Sequence, residues 1–98
     1  MSNLRFEWDP KKDASNQRKH GVSFDEATSV FSDEHGLLTD DADQSDDEDR
    51  FVLLGLSSSL RTLIVCHCYR EADSIIRLFS ARKANKQERA VYARRYES

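Results

Sequence analysis

The sequence predicts an α+β domain: two N-terminal helices, a twisted antiparallel sheet, and a C-terminal helix. Three observations predict it. An Asp9-Pro10 start and a Gly21 stop bracket a helical stretch near the N-terminus. Three apolar runs follow in the second half, with connections short enough for hairpins. No repeat or low-complexity linker divides the 98 residues, so 1–98 reads as one domain.

The elements follow in order. Asp9 serves as an N-cap, and Pro10 stands at the first helical position, where its missing N–H costs nothing. The first helix runs to about His20, with Gly21 closing it in a left-handed cap. Ser23 and Glu26 form a capping box for a short second helix. Val22 and Ala27 are placed for a hydrophobic staple, and Ala27, Val30 and Phe31 supply the apolar stripe. Leu37-Leu38-Thr39 reads as a short strand entering an acidic stretch. Residues 51–56, 62–69 and 75–81 read as three strands of an antiparallel meander, and Asn85 with Glu88 starts a last helix over about 86–97.

Composition narrows the function. Hydrophobic residues make up 38% and charged residues 34%, so the core is thin and the surface heavily charged. The N-terminus lacks the apolar stretch of a signal peptide, and no window approaches the ~18 apolar residues of a membrane span, so the expected location is cytoplasmic. Cys66 and Cys68 lie two apart on one strand, a poor separation for a disulfide, and read as reduced thiols. A Cys-His-Cys metal clip is opposed by alternation, which points His67 away from both sulfurs.

The net charge of −3 hides a segregation. Residues 40–49 hold seven acids and no base, and from Arg61 to Ser98 nine basic residues stand against four acidic ones. A basic C-terminal half suits a polyanion, and equally an ordinary solvated surface. The acids of 40–49 lack the spacing of a calcium loop, so no metal site is assigned. They could instead fold over the basic face or attract a basic partner.

Even registers pairing Leu56 with Arg61 and Arg70 with Ile75 would sort the strands into two faces. Arg70 and Arg77 would lie together beside Cys68 on one. On the other, Arg50 would lie opposite His67 near Tyr69, with Arg82 on the same side. Arginine within apolar strands either pairs with a carboxylate or lines a pocket that grips phosphate bidentately.

With the elements in order, a family resemblance becomes visible. Phe6-Glu7-Trp8-Asp9-Pro10-Lys11, then Asn16, His20-Gly21-Val22, Phe24 and Glu26-Ala27, resembles the opening of the BrnT toxin family. Ile76-Arg77-Leu78-Phe79-Ser80-Ala81-Arg82-Lys83-Ala84, then Glu88-Arg89 and Tyr92, is similar to its closing signature. Arg50, Gly55 and Tyr69-Arg70 fall in order between them. The acidic stretch and the His67-Cys68 pair are particular to this chain.

The resemblance implies a fold like that of the RelE toxins and an endoribonuclease that arrests translation without a cofactor. It also implies a BrnA-like antitoxin, a DNA-binding protein that blocks the toxin and ties it indirectly to operator DNA. Self-association into a homo-oligomer is left open. Metal-free cleavage uses the ribose 2′-hydroxyl as nucleophile, and it needs charge stabilisation, a base and an acid. Phosphate stabilisation is assigned to Arg70, Arg77 and Arg82, and proton transfer to His20 or else His67. Lys19, Arg50, Lys83 and Arg89 would hold the flanking RNA. A histidine in a helix's last turn also suits the helix dipole, so His20 has a structural reading as well. The rival function is a non-catalytic module that binds nucleic acid or protein through the same basic half.

Overall fold

A strand precedes the first helix. The computed structural model describes residues 4–40, 50–72 and 74–97. Its elements are β1 (Arg5–Glu7), α1 (Pro10–His20), α2 (Phe24–Ser29) with a 3-10 turn (Val30–Ser32), β2 (Leu37–Asp40), β3 (Phe51–Leu56), β4 (Thr62–Arg70), β5 (Ile75–Lys83) and α3 (Lys86–Glu97). The strands form one sheet in the order β1-β5-β4-β3-β2. Four of them pair antiparallel, while β1 lies parallel to β5, with Arg5 opposite Ile75 and Glu7 opposite Arg77. The sheet is therefore mixed. Three residues carry too little local preference to announce a strand; β1 is extended because the edge of β5 offers it partners.

The helix ends form as their chemistry demands. Asp9 accepts from the Lys11 N–H at 2.9 Å, and Gly21, at φ +68°, donates its N–H to the Gln17 carbonyl. Ser23 Oγ accepts from the Glu26 N–H at 3.0 Å. Glu26 does not complete the box. Its carboxylate accepts from Arg61 and from Ser57 Oγ, joining α2 to the β3–β4 hairpin, and the Arg61 guanidinium holds it below the usual carboxylate range.

One buried side chain fastens α1 to the sheet. Asn16 donates to the carbonyls of Val22 (2.8 Å) and Ala81 (2.7 Å) and accepts from the Ala81 N–H (3.1 Å). It thereby covers β5 beyond the end of β1, pairing backbone groups that an edge strand would otherwise expose.

The larger core lies under α1 and α2, built from Val22, Phe24, Ala27 and Val30 against Leu53, Leu63, Val65, Ile76, Leu78 and Ala81. Gly55 lets the 3-10 turn approach β3, because a Cβ there would meet Val30 Cγ1 at 2.8 Å. A smaller cluster on the opposite face seats α3, with Tyr92 and Ala84 against Leu54, Leu56 and Ile64. Tyr92 donates to Asp33 Oδ2 at 2.6 Å, and the same oxygen accepts from the Leu56 N–H. Burial pushes the Asp33 carboxyl up, but these bonds and the one from the His35 N–H pull it below its ordinary value.

Two register details rearrange the faces. The β3–β4 hairpin closes through the Ser57 N–H to the Arg61 carbonyl, with Leu60 at φ +63°, so Leu56 pairs with Thr62 rather than Arg61. The β4–β5 hairpin keeps the expected Arg70–Ile75 pair, but a bulge follows: His67 faces Leu78 and Cys66 faces Ser80, leaving Phe79 extra on β5. The first change moves Arg50 off the face shared by His67 and Tyr69. The second reverses the end of β5 and moves Arg82 with it. Arg50, Arg70, Arg77 and Arg82 thus share one face with Cys66 and Cys68, which are not joined in a disulfide.

His67 sits on the other face at 0% exposure, edge-on to Phe31 (4.8 Å) and Tyr69 (5.2 Å). Nδ1 lies 3.2 Å from the Val65 carbonyl, which can only accept, so Nδ1 donates and Nε2 accepts from the Tyr69 hydroxyl at 3.3 Å. Burial pushes the imidazole below its ordinary 6.5, so the folded protein holds it neutral. The unfolded chain therefore takes up a proton that the folded one refuses, and stability falls as pH drops below about 6.5. The slope from this group is at most about 1.4 kcal/mol per pH unit. Urea unfolding at pH 7.5, 6.5 and 5.5 should show it in the wild type and lose it in His67→Phe; equal slopes would refute the assignment.

Candidate active site

The candidate face is the part of the sheet that α3 leaves open. Glu7, on β1, is its centre. Its Oε2 accepts from Arg77 Nη1 at 2.9 Å and lies 3.6 Å from Arg70 Nε. Register explains the meeting: Glu7 pairs with Arg77, Arg77 pairs with Cys68, and Arg70 lies two residues along β4 on the same face. All three charged groups are partly exposed, with side-chain exposures of 39% for Glu7, 42% for Arg70 and 29% for Arg77. Two guanidiniums therefore stand around one carboxylate at a place open to a ligand.

Beside this row, Arg50 reaches across β4 and lays its guanidinium over the Phe79 ring, 4.4 Å from the centroid. Lys12 Nζ, from α1, stands 5.6 Å from the same centroid. A groove of about 250 Å³ runs between α1 and β5, lined by Lys12, Ser15, Asn16, Lys19, His20, Phe79 and Ser80.

The residues singled out from the sequence therefore divide. Arg50, Arg70 and Arg77 come together, and Lys19 and His20 line the adjoining groove. Arg82 shares the face but commits Nη1 and Nη2 to Glu88 at 2.8 and 2.9 Å, which raises the guanidinium's own proton affinity and lowers that of Glu88. Glu88 in turn completes a capping box with Asn85, so Arg82 anchors the start of α3. Lys83 pairs with Leu63 on the helix-covered side, close enough to Glu26 to act on its carboxylate. Arg89 is exposed on α3 and donates to the Ala84 carbonyl at 2.8 Å. His67 lies in the core, away from the arginines. It also points away from both cysteine sulfurs, as alternation requires, so no Cys-His-Cys clip is assembled. The acidic stretch falls almost wholly at 41–49, outside the described residues.

Glu7, Lys12 and Phe79 were not singled out. The alternation of Arg5-Phe6-Glu7 is a strand signal for Glu7, but three residues are too few to rely on. Lys12 is an ordinary exposed helix lysine in sequence, and Phe79 reads as one more apolar strand residue.

Such a face can hold a phosphodiester through guanidinium forks, with a carboxylate between them to take a proton from a hydroxyl nearby. Comparison with known proteins gives the family and the fold. Residues 8–88 match the family described as the ribonuclease toxin, BrnT, of type II toxin–antitoxin systems; Glu7 stands one position ahead of that span. The 1.1 Å crystal structure of the Brucella abortus ribonuclease toxin, BrnT, superposes with a TM-score of 0.64 at 19% identity, over 85% of this chain and 99% of that one. No curated protein matches in sequence.

Proposed function

The chain belongs to the BrnT family of ribonuclease toxins of type II toxin–antitoxin systems, and from that premise we propose that it cleaves RNA on the open sheet face without a metal ion. Its activity is that of an endoribonuclease, and its partners are an RNA substrate and an antitoxin. The observation that carries the mechanism is Glu7 held between Arg77 and Arg70.

In this reading the two arginines bind the scissile phosphate and offset its growing negative charge. Glu7 takes the proton of the 2′-hydroxyl, and the 2′-oxygen attacks phosphorus. The bond to the 5′-oxygen breaks, leaving a cyclic phosphate. His20 supplies the proton that the 5′-oxygen needs. Arg50 and Lys19 hold the strand on either side. Arg82 holds α3 against the sheet and adds a further positive charge to the face, while Lys83 and Arg89 contribute only long-range attraction for RNA.

The antitoxin is proposed to be BrnA-like, to cover this face, and to link the toxin to operator DNA. The whole chain, 1–98, is taken as one toxin domain acting in the cytoplasm. Among the described residues no helix is long and apolar enough to cross a membrane. Incubating the purified protein with single-stranded RNA in excess chelator should give fragments ending in cyclic phosphate. RNA that stays intact until magnesium is restored would overturn the metal-free mechanism. RNA bound but never cut would favour a binding module.

A further inference from the structure

The groove between α1 and β5 is more positive than cleavage at Glu7 requires. Lys12 and Lys19 lie two helical turns apart, and both line it. Among the described residues neither has an acidic partner. Lys12 also stands at a ring that already carries the Arg50 guanidinium. Phe79 thus gathers two cations from distant parts of the chain, α1 and the start of β3. The ring can do so because Phe79 lies on the face of Arg77, at the bulge, with no residue of β4 paired to it. An anion bound in the groove would offset the ammonium charges of Lys12 and Lys19. The hydroxyls of Ser15 and Ser80 on the same walls are suited to donate to such an anion.

We propose that this groove is a second phosphate subsite, which takes the RNA phosphodiester next to the scissile one, with Lys12 as its ligand and Phe79 as the positioning residue for Lys12 and Arg50. The proposal rests on the reading of the open face as the RNA site and extends it by one nucleotide along the strand.

The test uses the full chain and a single-stranded 2′-O-methyl RNA, which cannot be cleaved, with affinity followed by fluorescence anisotropy across a salt series. Lys12→Ala, at an exposed position that does not threaten the fold, should lower the slope of log affinity against log salt by about 0.7, one single-strand phosphate contact. Phe79→Leu should weaken binding about two- to fivefold, as loss of cation–π positioning implies, and Phe79→Tyr should restore it. The double variant Lys12→Ala/Phe79→Leu should lose less than the two single losses combined, because the ring acts through the lysine. A wild-type slope in Lys12→Ala, or Phe79→Tyr binding as weakly as Phe79→Leu, overturns the subsite and leaves the cleavage reading standing. A wild-type protein that holds no RNA overturns both.

Discussion

Arg77→Ala is expected to lower RNA cleavage by about 10²- to 10³-fold, the usual cost of removing one preorganised group that stabilises charge in a transition state. Arg77 makes the short bond to Glu7, and its fork is the less exposed of the two around that carboxylate. Removing it takes away a phosphate ligand and frees the base to swing. Glu7→Gln, which keeps the shape but cannot accept the proton, should cost about 10²- to 10⁴-fold. Neither change should destabilise the fold much, since a partly exposed pair contributes at most about 1 kcal/mol. The measurement is kcat/KM on a defined RNA alongside a thermal melt, and growth on induced expression gives the same ranking in cells. Cleavage within a few-fold of wild type for both variants would remove Glu7 and Arg77 from the chemistry. Arg82→Ala makes the contrast: its partner is Glu88, so it should loosen α3 and spare most of the cleavage.

Asn16→Leu should be the most damaging single change to the fold. The leucine is similar in size but leaves the Ala81 N–H, the Ala81 carbonyl and the Val22 carbonyl without partners inside the protein. Each unsatisfied buried group costs about 1–3 kcal/mol, so a loss of about 3 kcal/mol or more is expected. Small domains have roughly 5–15 kcal/mol in total, and the melting temperature should fall on the order of 10–20 °C. Asn16→Asp should do little better, because two of the three bonds need an N–H donor. A melt within about 2 °C of wild type would show that the edge of β5 finds other partners.

Much of the fold was legible because the signals are local. Asp9, Gly21, Ser23 and Asn85 each satisfy backbone groups within a few residues of themselves, Pro10 removes a donor that would have none, and each helix starts or stops where they stand. What could not be read is set by distant parts of the chain. The register of the β3–β4 hairpin depends on Leu60 taking a left-handed conformation that glycine or asparagine would have signalled and leucine does not. The bulge at Phe79 has no glycine to mark it. These two details decide which face Arg50 and Arg82 occupy, so the arginine face was visible only as the Arg70–Arg77 pair. Glu7 stayed hidden for a related reason: its neighbours in the site come from the far end of the sequence.

That separation has a bearing on how the cell makes such a protein. Glu7 and Arg77 are 70 positions apart, and β1 has no strand to lie against until β5 exists. A nascent chain that stops before Ile75 holds neither the guanidinium nor the edge that would keep the carboxylate in place. On the proposed mechanism, a chain that stops short of β5 cannot cleave RNA, and the site is assembled only once both of its distant parts have been made.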